Sequence, residues 1–129
     1  MATIVLADDD ADLCAVYAPF LRAAGHEVWE AADGQEAVEA VQSRRPDLLL
    51  LDVWMPHLNG FEVLDRLRHD PAAARLKIVM LSSVVDADSR LESFGCGAVE
   101  FLVKGRSLVD LLAKIESLLA VPEVVSDSA

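Results

Sequence analysis

The sequence predicts an α/β fold, a single parallel sheet of five strands with five helices divided between its two faces. Two observations carry this. Short β-branched or aliphatic runs alternate with stretches of helical period, and five such pairs can be counted along the chain. Two of the runs, Leu48-Leu49-Leu50-Leu51 and Ile78-Val79-Met80-Leu81, are apolar throughout, as central parallel strands covered on both faces must be. A chain of 129 residues can bury a sizeable core without disulfide or metal staples. Residues 1–120 are therefore read as one domain, and 121–129, where the apolar period ends, as a C-terminal tail or the start of a linker.

The predicted strands are Thr3 to Ala7, Glu27 to Ala31, Leu48 to Leu51, Lys77 to Leu81 and Ala98 to Val103. The second has Val28 and Trp29 between Glu27 and Glu30, a polar-flanked pattern that suits a sheet edge. The predicted helices are Ala11 to Ala24, Gln35 to Arg44, Phe61 to His69, Asp86 to Phe94 and Leu108 to Ala120, punctuated by Gly25, Gly34 and Gly95. Asp10 reads as the cap of the first helix, with Asp12 favouring the positive end of its dipole. Pro19 removes a backbone donor inside that helix and should kink it. Ser107 is a candidate cap for the last helix, whose Leu108, Leu111, Leu112, Ile115, Leu118 and Leu119 form one apolar stripe.

Composition narrows the function. There are 22 acidic residues against 11 basic ones, a formal net charge of −11, which opposes the phosphate backbone that a nucleic-acid binder must neutralise. No apolar run approaches the ~18 residues of a membrane span, and no basic segment followed by an apolar one marks the N-terminus. The expectation is a soluble, cytoplasmic protein with no direct nucleic-acid or membrane partner. Cys14 and Cys96 lack the spacing of a zinc knuckle or a disulfide framework and read as buried free thiols.

In open parallel sheets, ligands bind beyond the carboxyl ends of the strands, where strand order reverses. Here the first strand is followed by Asp8-Asp9-Asp10, the third by Asp52, the fourth by Ser82-Ser83 and the fifth by Lys104. Carboxylates converging in a partly dry cleft repel one another by roughly 4 kcal/mol at ~4 Å and an effective dielectric of about 20. They must raise one another's pKa or take up a cation. Oxygen-only ligands select a hard ion, magnesium or manganese. Such a cation, with Lys104 and the Ser82 hydroxyl, could hold the oxygens of a phosphoryl group. One of the carboxylates is then free to form an acyl phosphate, a step that needs no general base.

These residues, in this order, strongly resemble the receiver domains of two-component response regulators over residues 3 to 120. The resemblance rests on Ile4-Val5-Leu6-Ala7-Asp8-Asp9-Asp10, on Asp47 through Pro56 with Asn59-Gly60, on Met80-Leu81-Ser82-Ser83, and on Gly97-Ala98 with Phe101-Leu102-Val103-Lys104. It implies a flavodoxin-like strand order of 2-1-3-4-5 and a phosphoacceptor at Asp52. It implies Mg2+ (or Mn2+) held by Asp9, Asp52 and the Trp54 carbonyl, with Asp8 acting through water. It makes Ser82 and Lys104 the phosphoryl-binding hydroxyl and cation, and Ser82 with Phe101 the switch pair. The implied partners are a sensor histidine kinase or phosphotransfer protein. An output domain or homodimer contact would use the face of the fourth helix, fifth strand and fifth helix. Only self-phosphorylation and self-dephosphorylation chemistry is expected, without enzymatic turnover of a separate substrate.

Three positions depart from the family pattern. Gly105 stands where a cis proline usually follows the lysine, and since a cis bond to a non-proline residue costs ~2.5–4 kcal/mol, a trans Lys104-Gly105 bond is expected. Asn59 replaces a frequent aspartate but still serves a turn into a helix. Trp54 is bulky, and its ring could shield an acyl phosphate from water. His57 is read as a solvent-facing loop residue without a role. A phosphatase of the haloacid-dehalogenase type would need an acid where Trp54 stands, and a flavodoxin-type phosphate loop would not carry Asp8-Asp9-Asp10. A degenerate receiver acting only as an interaction module ranks below a phosphorylatable one, because every functional residue type is present.

Overall fold

A computed structural model of the chain describes residues 2–82, 100–105 and 107–120. Its five strands, β1 (Thr3–Ala7), β2 (Glu27–Ala31), β3 (Leu48–Asp52), β4 (Lys77–Ser82) and β5 (Glu100–Val103), form one sheet in the order β2-β1-β3-β4-β5. All neighbouring pairs are parallel. Among the described residues the α-helices are α1 (Ala11–Ala23), α2 (Gly34–Arg44), α3 (Gly60–Leu67) and α4 (Leu108–Ala120), the last being the final predicted helix. The predicted helix from Asp86 to Phe94, the pair Gly97-Ala98, Ser83, Cys96 and the tail 121–129 lie outside the described residues.

Side-chain alternation along each strand sorts the core into two halves. Val5, Leu49, Leu51, Met80 and Phe101 point to one face, where they pack with Val38, Val41, Val63 and Leu64 of α2 and α3. Ile4, Leu6, Leu48, Leu50, Val79, Leu81 and Leu102 point to the other, against Cys14, Tyr17, Leu21, Leu111 and Ile115 of α1 and α4. The central strand β3 is buried along its length and β1 from Ile4 onward, whereas β2 at the edge has exposed Glu27 and Glu30. Arg44 closes over the exposed side of that edge, its guanidinium 3.6 Å from the centre of the Trp29 ring.

Caps decide where the helices begin. Asp10 accepts from the Asp12 and Leu13 amides, Asp33 from Glu36, and Asn59 forms a reciprocal capping box with Glu62. Ser107 receives the Asp110 amide at 3.4 Å, so the cap expected for the last helix is present. α1 runs through Pro19 without interruption. The third helix was expected to reach His69 but ends at Leu67, because Asp70, in extended conformation before Pro71, caps a short 3-10 turn at Pro71–Ala73.

The start of α3 is fixed by a backbone contact. A Cβ placed on Gly60 would lie 2.6 Å from the Asp52 carbonyl oxygen and 2.8 Å from Met80 Cε. The Gly60 amide meanwhile donates to the Val53 carbonyl at 2.7 Å. Gly60→Ala should therefore cost about 1–3 kcal/mol, as overpacking against backbone does, and displace the end of β3. Denaturant unfolding checks the cost; a midpoint equal to that of the wild-type chain would contradict this packing.

Candidate functional site

Strand alternation and register together assemble the site. Asp8, Asp52 and Lys104 each stand two residues beyond a side chain of the α1/α4 face, namely Leu6, Leu50 and Leu102. All three therefore project to that side of the sheet. The register pairs Ala7 with Leu51, so Asp8 and Asp52 leave the adjacent strands β1 and β3 at the same level. Asp52 is the last residue of β3 and Ser82 the last of β4, so both belong to the sheet itself and not to the following loops.

The side chains meet as that geometry requires. Lys104 Nζ lies 2.8 Å from Asp8 Oδ2 and 3.1 Å from Asp52 Oδ1. Both acids are buried, at 2% and 4% exposure, while Asp9 is exposed. Carboxylate oxygens of Asp8, Asp9 and Asp52 lie within 4.8 Å of one another. Asp8 Oδ1 accepts the Asp10 amide at 2.9 Å. Its Oδ2 accepts no directed hydrogen bond among the described residues and is left with the ion pair to Lys104.

The electrostatics are those of two negative charges sharing one positive charge out of water. Burial and the nearby Asp8 charge push Asp52 up to about 6, although Lys104 and the Trp54 amide pull the other way. Burial alone would lower the pKa of Lys104, but its bonds to Asp8 and Asp52 outweigh that and hold it above its ordinary value. Cys14, whose Sγ lies 3.6 Å from the Asp8 carbonyl oxygen, is driven up to about 11 by burial and then by the Asp8 charge, so it remains a thiol. Two buried carboxylates that share one ammonium, with a third carboxylate beside them, make an all-oxygen cluster of excess negative charge that fits a hard divalent cation. Asp8, Asp9, Asp52 and the neighbouring backbone carbonyls are the residues available to hold it.

The remaining predicted residues fall around this centre. The Trp54 amide donates to Asp52 Oδ1 at 3.3 Å, and the Trp54 ring is 65% exposed, edge-on to Phe61 with centroids 6.3 Å apart. Ser82 is buried, and its carbonyl accepts the Lys104 amide at 2.6 Å, so β4 brings the Ser82 and Lys104 backbones together. Phe101 is buried on the opposite, α2/α3 face of the sheet. There is no cis peptide bond among the described residues, so Lys104-Gly105 is trans as expected, and Gly105 takes φ +82.

Two contacts were not anticipated. His57 is solvent-facing, as expected, but it also bonds Asp33, the cap of α2, at 3.1 Å and has φ 70. Asp33 is held below the usual carboxylate range by the Glu36 amide first and by His57 as well. The second is a bond from the Gly105 amide to the Tyr17 hydroxyl at 3.3 Å. Neither left a local signal in the sequence.

A doubly wound parallel sheet with an acidic cluster and a lysine at the carboxyl ends of its strands defines the class of protein. The chain belongs to the response regulator receiver domain family, whose model matches residues 4–116. It is 40% identical over 111 residues to a gliding motility regulatory protein of Myxococcus xanthus, an overlap covering 86% of this chain and 14% of that one. Against the phosphate regulon transcriptional regulatory protein PhoB of Pseudomonas aeruginosa it is 32% identical over 117 residues, covering 91% and 51%. The chain thus spans about half or less of the curated relatives it matches. Among solved structures, the chemotaxis protein CheY4 of Vibrio cholerae superposes with a TM-score of 0.86 at 32% identity, covering 91% of this chain and 98% of that one.

The crowded charge has a consequence for stability. A carboxyl whose pKa rises on folding from 3.8 to about 6 destabilises the folded state once it ionises, by about 3 kcal/mol at most. The penalty is absent below the unfolded value and complete above the folded one. Asp52→Asn should therefore raise the stability of the metal-free protein at about pH 7.5 by about 1–3 kcal/mol. That gain should shrink as pH falls through 6 toward 4. Lys104→Met should do the reverse and lower it, since it strands two buried charges. Thermal unfolding in the presence of a chelator checks both, and a destabilised Asp52→Asn would contradict the charge accounting.

Proposed function

We propose that this chain is a phosphorylation switch in which Asp52 accepts a phosphoryl group from a sensor histidine kinase or a phosphotransfer protein. The observation that carries the reading is the buried Asp52 carboxylate within reach of Lys104 and beside the Asp8-Asp9 pair. An Asp52 oxygen forms the new bond to phosphorus as the bond to the donor's imidazole nitrogen breaks, and the departing nitrogen takes its proton from solvent. No general base is needed because the nucleophile is already an anion at neutral pH. Lys104 stabilises the phosphoryl oxygens, and the Ser82 hydroxyl is the second group of this chain assigned to them.

Mg2+, with Mn2+ as a substitute, is the cation that Asp8, Asp9, Asp52 and the Trp54 carbonyl would hold. It supplies neutralisation of the negative charge that gathers when a phosphoryl group joins three carboxylates. The exposed Trp54 ring stands at the rim, where it can restrict the water that hydrolyses the acyl phosphate. Chemistry is limited to gaining and losing this group, so the chain is a signalling module and turns over no separate substrate. The added phosphate brings about −1.5 to −2 charges. Its effect on Ser82 and Phe101 would reshape the face that includes β5 and α4, the surface proposed for an output domain or a second copy.

Several relatives are transcriptional regulators of which this chain spans about half, so an attached output domain is a proposal for the whole protein. No helix among the described residues is long and apolar enough to cross a membrane, and the proposed place of action is the cytoplasm, where histidine kinases present their phosphoryl groups.

Incubation with acetyl phosphate and magnesium, followed by intact-mass analysis, tests the reading. One phosphoryl group should appear on the wild-type chain and none on Asp52→Asn. An equal gain in both would remove Asp52 as the acceptor.

A further inference from the structure

We propose that Tyr17 is a positioning residue which, through a hydrogen bond from the Gly105 amide to its hydroxyl, sets where the Lys104 ammonium lies between Asp8 and Asp52. Its effect on phosphorylation rate rests on the reading of Asp52 as the acceptor; its effect on Lys104 does not.

Lys104 is the point at which the chain leaves the sheet. Its own amide is still paired with the Ser82 carbonyl of β4 at 2.6 Å, but the next residue, Gly105, turns out with φ +82. A Cβ on Gly105 would meet nothing within 4 Å, so glycine is required there by backbone conformation and not by space. The turn directs the Gly105 amide at the Tyr17 hydroxyl, 3.3 Å away and 88 residues earlier in the chain. Tyr17 is a dependable anchor, being 6% exposed and packed in the α1/α4 half of the core.

The lysine side chain has many rotamers, and its ammonium must satisfy Asp8 at 2.8 Å and Asp52 at 3.1 Å together. Where its backbone is held decides whether both can be reached. Asp8 is held by the same helix. The Asp10 amide at the cap of α1 donates to Asp8 Oδ1, and Cys14 Sγ contacts the Asp8 carbonyl. Asp10, Cys14 and Tyr17 recur at the spacing of one helix face. One face of α1 thus fixes both members of the ion pair, Asp8 through Asp10 and Cys14, and Lys104 through Tyr17. A proline after Lys104 could neither take φ +82 nor offer the amide, so the hydroxyl and the glycine make sense only as a pair.

Tyr17→Phe removes the hydroxyl and keeps the ring. By NMR on the protein without a phosphodonor, the Gly105 amide should exchange about five- to ten-fold faster, the worth of one such hydrogen bond. The signal of the Lys104 ε-methylene should shift. With acetyl phosphate and saturating magnesium, Asp52 phosphorylation should slow several-fold in Tyr17→Phe, while adding Tyr17→Phe to Lys104→Met should cost nothing further. An equal fold-loss in both backgrounds would mark a general packing defect and overturn the proposal, as would unmoved Gly105 and Lys104 signals. If the wild-type chain takes no phosphoryl group, the phosphorelay reading fails and the two NMR signals alone decide this one. Should Tyr17→Phe not fold, Tyr17→Leu removes the same acceptor while leaving the Gly105 backbone untouched, and an unmoved Lys104 signal there overturns the proposal.

Discussion

Two buried carboxylates on neighbouring strands, Asp8 and Asp52, share the single ammonium of Lys104 at the carboxyl end of the sheet. In so dry a place the pair cannot be neutralised by one lysine, and the imbalance shows in the raised pKa of Asp52, driven first by burial and then by Asp8. The rest of the structure can be read as support for this cluster. The aliphatic strands β1 and β3, buried from Ile4 to Ala7 and from Leu48 to Asp52, provide a rigid frame that prevents the two acids from drifting apart. α1 ties Asp8 from the other side through its cap.

Such a cluster costs stability and remains only because the surrounding core holds it in place. The two halves of that core are anchored on fully buried side chains of β1, β3 and β4, so the strain at the strand ends is opposed by close packing immediately beneath it. Gly60 shows how tight the arrangement is, since α3 begins in contact with the Asp52 carbonyl itself. Ion binding at the cluster and packing beneath it are in this sense one design. A cation that joins the carboxylates relieves the repulsion the fold has imposed, and a phosphoryl group that joins them rearranges the same balance.

Much of this was legible in the sequence, for physical reasons. Aliphatic runs alternating with stretches of helical period, two of them apolar throughout, pointed to the parallel sheet, the family resemblance supplied its strand order, and reading the polar residues at strand ends found Asp8, Asp9, Asp52, Ser82 and Lys104. Parity could even have shown that Asp8, Asp52 and Lys104 share a face. Asp10 as a cap followed from local chemistry that the structure bears out. The third helix ends at Leu67, two residues short of the predicted His69, and Pro71 carries the signal that Asp70 must be extended. The Tyr17 bond to Gly105 and the His57 bond to Asp33 were not legible. Each joins loops or helices brought together only by the finished topology, and each involves a backbone with positive φ that no neighbouring residue announces.

The excess negative charge of Asp8, Asp9 and Asp52 fits a divalent cation, and Trp54 is suitably placed to report its binding. Its amide bonds Asp52 while its ring faces solvent, and Trp29 lies at the far edge on β2. Titrating magnesium into the Trp29→Phe chain while recording tryptophan fluorescence should give a saturable change that weakens as pH falls toward the raised Asp52 value of about 6. It should be lost in Asp9→Ala. No change in the Trp29→Phe chain, or the same saturable change in Asp9→Ala, would contradict the account.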